Sequence, residues 1–376
     1  MSPVATSVPN SSEARRYKIA VIPGDGIGPE TIGASLEILQ ALQETLGSFQ
    51  IEYTHLDWSS DRYFAQGKYL PDDWMTVLKP HDAIFFGAVG HPKVPDHISL
   101  WELLLPIRQR FQQYANLRPT RIMRGVDSPL KNISPESLDW MLVRENTEGE
   151  YAGQGGRTHI GQPWEVGTEL AIFTRQGIER IFRFAYQIAE SRSKKHLTFV
   201  TKSNAQRSGM VLWDEVAWQI AAEFPHVKTE KMLVDAMTVR MVHKPESLDT
   251  IVATNLHADI LSDLAAAIAG SIGIAPASSI DPTRQYPSTF ESVHGSAPDI
   301  AGRGIANPIA TMWAGVEMLR WLGEEVAADA WMKAIEDVCA EGVLTPDLGG
   351  KEDTRGVTDA IRAKVIKNAK QHQMAF

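Results

Sequence analysis

The sequence has one cysteine, Cys339, among its 376 residues. A single cysteine can form neither an internal disulfide nor a thiolate metal cluster. No run of about 18 apolar residues is long enough to span a membrane. The formal net charge is -9, and no basic cluster alternates with aromatic residues, so nucleic acid is an unfavourable partner. These absences predict a protein of a reducing compartment whose ligand is a small molecule.

The first sixteen residues lack the apolar core of a signal peptide. They are rich in Ser, Pro and Ala, and we predict a flexible tail over residues 1–16. This favours a cytoplasmic location. A short mitochondrial presequence is the alternative because Arg15 and Arg16 are present, but Glu13 and the lack of a clear amphipathic helix argue against it.

The common nucleotide and zinc motifs are also missing. A glycine cluster at residues 24–28 follows a predicted strand, but the sixth position counted from Gly24 is Pro29, so the G-x-G-x-x-G fingerprint is not satisfied. A tight turn from strand to helix is the structural alternative for this cluster. No Walker loop and no H-E-x-x-H occurs, which leaves carboxylates as the candidate metal ligands.

The pattern that is present alternates short β-branched runs with helical periodicity, which is typical of an α/β protein. The length favours two domains. A segment at 116–167 is rich in Pro, Gly and charge, and residues 164–173 predict a β arm. We predict strands at 17–22, 82–88, 197–201, 231–234 and 250–253, and helices at 29–46, 100–114 and from Asn307-Pro308 to Gly323.

Two aspartates are the clearest candidate metal ligands. Asp259 and Asp263 lie four residues apart in a helix predicted after the strand at 250–253, so they share one helical face. Their charges repel unless a cation neutralises them, and carboxylate oxygens favour Mg²⁺ or Mn²⁺. A solvated acidic face is the alternative, although the aliphatic neighbours make the helix largely apolar. Asp235, at the end of the strand at 231–234, is a candidate third ligand.

Three arginines are candidate ligands for carboxylates. Arg108, Arg118 and Arg144 lie close to predicted loop or strand ends, and the proline after Arg118 favours an extended segment there. The planar guanidinium suits a carboxylate better than an ammonium group does. A surface ion pair is the alternative for each arginine taken alone, and Tyr151 and Lys202 are individually uninformative.

Taken together, these segments resemble the β-decarboxylating dehydrogenases, the family of the isocitrate, isopropylmalate, homoisocitrate, tartrate and D-malate dehydrogenases. The resemblance runs from about residue 18 to beyond residue 323. Several long motifs in the same order make it specific. They are IPGDGIG at 22–28, NLRP at 116–119, VRENTEGEY at 143–151, TKSN at 201–204, NLHADILSD at 255–263 and HGSAPDIAG at 294–302.

The resemblance implies a two-domain α/β fold with a large mixed sheet, and not a Rossmann fold. Residues 17–115 and 273–376 are expected to form a large cofactor-binding domain. Residues 116–272 are expected to form a central domain with the dimer interface and the metal ligands. It also implies an obligatory homodimer whose active site is shared between subunits.

The resemblance further assigns roles to residues. Arg108, Arg118 and Arg144 bind the substrate carboxylates. Asp259 and Asp263 bind Mn²⁺ or Mg²⁺ together with Asp235 of the partner subunit, and K⁺ is an additional candidate ion. The expected NAD-binding residues are Asn204, Glu291, His294, Gly295, Ser296, Ala297, Asp299, Ile300 and Asn307.

The implied reaction begins with loss of the hydroxyl proton to Lys202 of the partner subunit while hydride leaves for NAD. The metal and Asp235 are the other catalytic groups that the resemblance implies for this step. Decarboxylation follows, and Tyr151 protonates the resulting carbanion carbon. A carboxylate at Asp299 hydrogen-bonds ribose hydroxyls and repels a 2′-phosphate, so NAD is expected over NADP.

The segment at 94–101 resembles the tartrate and D-malate subgroup, so we expect D-malate to give pyruvate and CO₂, with tartrates as further substrates. The alternatives are 3-isopropylmalate, homoisocitrate and isocitrate. Leu104 and Leu105 either line a pocket or pack the helix, and we favour packing. His257 and Ala258 depart from the subgroup. A non-catalytic regulatory subunit is the alternative of another class, which the retained metal and acid–base residues argue against.

Overall fold

The computed structural model describes residues 14–374. The strands of this part are β1 (Arg15–Gly24), β2 (Phe49–His55), β3 (Ala83–Ala88), β4 (Ala115–Arg121), β5 (Asp139–Glu145), β6 (Gly149–Thr158), β7 (Val166–Ile172), β8 (His196–Thr201), β9 (Lys228–Leu233), β10 (Thr250–Ala253), β11 (Pro276–Ile280) and β12 (Ser288–Ser292).

The helices of the described part are α1 (Gly28–Leu46), α2 (Ser60–Gln66), α3 (Trp74–Leu78), α4 (Asp96–Ser99), α5 (Leu105–Arg110), α6 (Arg175–Ser191), α7 (Gly209–Ala221), α8 (Val234–His243), α9 (Asn255–Ala269), α10 (Ile309–Leu322), α11 (Glu325–Ala340) and α12 (Thr354–Met374). In this part of the chain, no helix combines the length and the apolar character that crossing a bilayer requires.

Ten strands form one sheet in the order β2-β1-β3-β12-β11-β4-β5-β10-β8-β9. The pairs β11–β12, β11–β4 and β4–β5 are antiparallel, and the other neighbours are parallel. The predicted large mixed sheet is therefore confirmed. Residues 15–88 and 276–292 supply one half of it, and residues 115–253 supply the other. The division of the chain into two domains stays a prediction.

Strands β1 and β3 are buried on both faces of the sheet. Val21 and Phe85 pack into a core with α1, α10 and α11, whereas Ile22 and Phe86 pack into a second core with α5. Neighbouring residues of a strand point to opposite faces, so each strand serves both layers. This double burial fixes the register of β1 and β3, and with it the position of the loops at their carboxyl ends.

The glycine cluster after β1 is a close-packed turn. Gly24 and Gly26 have φ of +70° and +58°, and a Cβ added to them would lie 1.8 Å from the carbonyl oxygen of Ala88 and 1.9 Å from that of Ser296. Ile27 N–H donates to the same Ser296 oxygen at 2.9 Å. The cluster is thus the strand-to-helix turn, and it holds the loop that carries the HGSAPDIAG motif.

Several boundaries differ from the predictions. β1 begins at Arg15, whose backbone N–H donates to Ser48 and whose guanidinium pairs with Glu324 at 2.7 Å. The predicted tail is therefore wrong for Arg15 and Arg16, while residues 1–13 lie outside the described residues. β9 ends before Val234, so Asp235 lies in the first turn of α8.

The helix predicted at 100–114 has three pieces. It begins at Asp96 with α4, continues through a π-helical turn at Leu100–Leu104, and ends as α5 at Arg110. A π turn shifts the direction of the side chains that follow it and often occurs at functional sites. The strand at 250–253, the arm around β7 and the end of α1 at Gly47 are confirmed.

We expect Gly26→Ala to lower the free energy of unfolding by about 3 kcal/mol because its Cβ would overlap the Ser296 carbonyl. Gly47→Ala is the matched control, since Gly47 also has a positive φ but an added Cβ would meet nothing within 4 Å. Its cost is the conformational strain alone, about 1 kcal/mol. Urea denaturation of both variants measures the difference, and equal losses would show that the turn is not close-packed.

Candidate active site

A cavity of about 200 Å³ lies beside the carboxyl end of β3. It brings together eight of the predicted site residues, from both halves of the sheet. Its lining consists of Phe86, Gly87, Ala88, Val89, Leu100, Leu104, Arg108, Arg118, Arg144, Tyr151, Asp259, Ala277, Glu291, Ser292, Val293, His294 and Gly295.

Asp259 is the centre of the polar contacts in this cavity. Its Oδ1 accepts hydrogen bonds from Arg144 Nη1 and, at 3.4 Å, from Arg118 Nη2, while Tyr151 OH donates to Oδ2 at 2.9 Å. Burial opposes ionisation, but the two arginines outweigh it and hold the pKa of Asp259 below its usual value. Asp259 is therefore an anion at neutral pH.

Arg144 and Arg118 are each held by a neighbouring amide. Arg144 donates from Nε and Nη2 to Asn255 Oδ1 at 2.9 and 2.7 Å. Arg118 donates from Nε to Asn116 Oδ1 at 2.8 Å and from Nη1 to Ser262 Oγ. Burial, together with the charge of Arg144, lowers the pKa of Arg118 to about 10, which still leaves it cationic at neutral pH.

Arg108 forms a buried ion pair. Its Nη2 lies 2.7 Å from Glu291 Oε1, and both side chains are less than a tenth exposed. Because Arg118 and Arg144 are only 6% and 2% exposed, the surface ion-pair alternative is wrong for all three arginines. Three guanidinium groups against the carboxylates of Asp259 and Glu291 leave the cavity lining with one excess positive charge. Such a lining favours an anion.

Tyr151 keeps its proton at neutral pH. Burial raises the pKa of its phenol, and the charge of Asp259 adds to this effect while Arg144 opposes it. The Arg144 guanidinium carbon lies 5.4 Å from the ring centroid. The protonated phenol therefore donates a hydrogen bond to Asp259, while the Arg144 guanidinium packs against its ring.

The other predicted metal ligand of α9 lies outside the cavity lining. Asp263 is exposed, and among the described residues its carboxylate has no hydrogen bond or ion pair. Partial desolvation raises the pKa of Asp263, and the charge of Asp259 adds to this. This unpaired carboxylate, one helical turn from a second one, has the oxygen donors that a divalent cation prefers.

Lys202 and Asp235 lie away from this cavity and pair with each other. Lys202 Nζ is 2.7 Å from Asp235 Oδ1, and this hydrogen bond lowers the pKa of Asp235. Within residues 14–374 of one chain, no group of three or more His, Cys, Asp or Glu side chains could hold a metal ion. A single chain therefore does not assemble the predicted three-aspartate set.

Of the residues predicted to bind the dinucleotide, Glu291, His294 and Gly295 line the cavity, and the others do not. His294 is buried, its pKa is lowered by that burial, and its Nε2 has no partner among the described residues. Asn204 and Asp299 are exposed. Asn307 Oδ1 accepts from the N–H of Ile309, the first residue of α10, at 3.0 Å, but the N-cap is Pro308, one residue after the predicted cap. The unpartnered imidazole nitrogen is a polar atom that a ligand would satisfy.

Sequence reasoning missed the groups that hold the arginines. Asn255 and Ser262 lie on the same helix as Asp259, four residues before it and three after it, so helical spacing could have placed them on its face. Leu104 packs against the core that contains Ile107, as favoured for it, and also lines the cavity, whereas Leu105 is buried. Leu100 adds to the same apolar wall.

Comparison with known proteins agrees with this geometry. The family model described as isocitrate/isopropylmalate dehydrogenase matches residues 18–361. A probable tartrate dehydrogenase/decarboxylase of Agrobacterium vitis is 61% identical over 92% of this chain and 95% of its own length. The D-malate dehydrogenase [decarboxylating] of Escherichia coli K12 is 48% identical over 94% of this chain and 99% of its own length.

A solved structure shows the same fold. The isocitrate dehydrogenase of Methylococcus capsulatus superposes with a TM-score of 0.84 at 34% identity, covering 93% of this chain and 99% of that chain. The predicted fold and the predicted class, a decarboxylating dehydrogenase, are confirmed. The motifs, the sheet and these similarities agree, and the chain belongs to the isocitrate/isopropylmalate dehydrogenase family.

Proposed function

We propose that the protein catalyses the NAD-dependent, divalent-metal-dependent oxidative decarboxylation of a small 2-hydroxy dicarboxylic acid. D-malate, converted to pyruvate and CO₂, is the first substrate of the proposal, and tartrates are further substrates. The observation that carries it is the cavity of about 200 Å³ with three buried arginines and one excess positive charge. The printed names of the relatives from A. vitis and E. coli support the choice of substrates.

A second candidate substrate follows from the apolar wall. Leu100 and Leu104 line the cavity together with Val89, and such a wall suits an alkyl substituent. This observation favours 3-isopropylmalate. Each extra buried methylene group contributes only about 1 kcal/mol, so the wall alone discriminates weakly between the candidates.

In the proposed reaction, the substrate carboxylates bind to Arg108, Arg118 and Arg144, whose guanidinium groups are already oriented by Glu291, Asn116 and Asn255. This preorganisation lowers the entropy that binding costs. NAD supplies hydride acceptance, and Mn²⁺ or Mg²⁺ supplies Lewis-acid polarisation when bound at Asp259 and Asp263. K⁺ is proposed as an additional ion.

Two side chains carry out the proposed proton transfers. Lys202 of the partner subunit accepts the hydroxyl proton as hydride departs, and Tyr151 later donates a proton to the carbon that has lost CO₂. Because the pKa of Tyr151 is raised, its phenol is protonated at neutral pH and can donate this proton. Asp299, on the loop held by the glycine turn, is proposed to select NAD by repelling a 2′-phosphate.

A homodimer is part of the proposal because the monomer exposes large apolar side chains. They lie on the β6–β7 arm and on α7, α8 and α9, and they include Ile160, Trp164, Leu170, Trp218, Val239 and Ile260. An apolar surface of this kind is typical of a protein interface. We propose that the arm and these helices pair with a second copy, which brings Lys202 and Asp235 of the partner subunit to the cavity.

The proposal also covers the two domains and the location of the protein. Residues 17–115 and 273–376 form the cofactor-binding domain, and residues 116–272 form the central domain. A cytoplasmic location is supported by the single cysteine, which is buried in α11 and has its pKa raised by burial to about 12, so it is an unreactive thiol.

Asp263→Asn is expected to weaken Mn²⁺ binding by about 100-fold, because one of the anionic ligands is lost, and to lower kcat by at least as much. Asp61→Asn is the control, since Asp61 is exposed in the first turn of a helix outside the cavity. Mn²⁺ titration followed by calorimetry gives the affinities. Near-normal turnover of the wild-type enzyme after exhaustive chelation would contradict metal dependence.

Co-expression of two inactive variants tests the shared site. Lys202→Met and Asp263→Asn are each expected to abolish activity, whereas a mixed dimer contains one site with both residues intact. A random mixture should recover about a quarter of wild-type activity, since half of the dimers are mixed and each has one working site. Recovery near zero, with mixed dimers demonstrated by differently tagged subunits, would show that each site uses Lys202 and Asp263 of the same chain, and the shared site would be rejected.

A substrate panel tests the specificity. We expect kcat/KM for D-malate and the tartrates to exceed that for 3-isopropylmalate, isocitrate and homoisocitrate under the same metal and NAD concentrations, with pyruvate and CO₂ as the products from D-malate. NAD should be preferred to NADP with each substrate. A tenfold advantage of 3-isopropylmalate or a tricarboxylate would reject the substrate assignment alone, and the absence of turnover with every acid would favour the regulatory subunit.

A further inference from the structure

A fully buried hydroxyl connects two of the three arginines of the cavity. Ser279, on β11, has no exposed surface. Its Oγ donates to Glu291 Oε1 at 3.3 Å and accepts hydrogen bonds from the Nδ2 atoms of Asn116 at 2.9 Å and Asn146 at 3.2 Å. A hydroxyl has one proton and two lone pairs, so the hydrogen-bonding capacity of Ser279 is fully used.

Two of these partners each hold an arginine. Glu291 Oε1 also accepts from Arg108 Nη2 at 2.7 Å, and Asn116 Oδ1 accepts from Arg118 Nε at 2.8 Å. An unbroken chain of hydrogen bonds therefore leads from Arg108 on α5, through Glu291, Ser279 and Asn116, to Arg118 on β4.

The direction of each hydrogen bond in this chain depends on Ser279. Since its oxygen accepts the Nδ2 of Asn116, the Oδ1 of that amide must face Arg118. The reversed amide would present N–H donors to a guanidinium that has donors only. Asn116 and Glu291 are 0% and 4% exposed, so bulk water does not replace the hydroxyl. Buried networks of this kind fix geometry when every member is satisfied.

We propose that Ser279 is a positioning residue that sets the spacing and orientation of Arg108 and Arg118 for the two carboxylates of the substrate. Ser279 is absent from the cavity lining, so it acts through Glu291 and Asn116 and not by touching the ligand. This inference rests on the proposed function, because it assigns the two arginines to a dicarboxylate.

The test compares Ser279→Ala with Ser278→Ala. Ser278 is the neighbouring residue on β11, is 3% exposed, and makes no side-chain hydrogen bond among the described residues, so it is a matched control. Ser279→Ala is expected to raise KM for the hydroxy dicarboxylate by about tenfold, the effect of losing roughly one oriented contact, while KM for NAD rises by much less because Glu291 keeps its ion pair with Arg108. Ser278→Ala should change neither constant.

Two further variants separate positioning from stability. Ser279→Thr retains the hydroxyl and should bring the substrate KM back to within about threefold of wild type. Ser279→Cys fills nearly the same space with a much weaker hydrogen-bonding group, so it should raise KM even if the alanine variant proves too unstable to purify. Thermal melts of all variants measure stability. If Ser279 had a purely structural role, its variants would lower the melting temperature without a selective change in the substrate KM.

The outcomes distinguish this inference from the proposed function. If the wild-type enzyme turns over a hydroxy dicarboxylate and Ser279→Ala and Ser279→Cys keep its substrate KM, the positioning role is overturned and the proposed function stands. If KM for NAD rises as much as KM for the acid, the role is also overturned. If the wild-type enzyme oxidises none of these acids, the proposed function fails first.

Discussion

The site depends on the burial of three guanidinium groups beside only two carboxylates. Arginine in a nearly dry cavity is costly unless its donors are satisfied, and Arg144 and Arg118 meet this requirement by converging on Asp259 and on uncharged amides. The amides satisfy N–H donors without cancelling the charge. The cavity is therefore both well ordered and left with one excess positive charge, a combination that suits a small anion.

The mixed sheet is what brings these groups together. Arg118 and Arg144 lie on β4 and β5, the antiparallel pair near the middle of the sheet, and Asp259 lies on the helix that follows β10, the next strand. Glu291 comes from β12, which is separated from β4 by β11 alone. The reversal of direction at β11, β4 and β5 lets side chains from early and late parts of the chain face one cavity, an arrangement that an all-parallel sheet would provide only through its loops.

The sequence predicted the parts of this site that are local. The spacing of Asp259 and Asp263 on one helix follows from helical geometry, and the structure agrees with it. The arginine roles came from the resemblance, since no periodicity marks them. The Asn116–Ser279 hydrogen bond joins residues 163 positions apart, and the π turn before α5 has no signature in the periodicity. The first depends on strand order and the second on local packing, and neither can be read from the spacing of residues along one sequence.

The ion pair between Lys202 and Asp235 lies outside the cavity lining of its own chain. Both side chains are partly or largely exposed, and exposed ion pairs contribute little to stability. Such a pair can exchange its partners at little cost when a stronger set of charges approaches. If a second subunit presents its cavity, Asp235 gains a divalent cation and Lys202 gains a hydroxyl proton to accept. Because the lysine and the carboxylate are neighbours on one chain, the proposed dimer would bring the base and the third carboxylate to the cavity together.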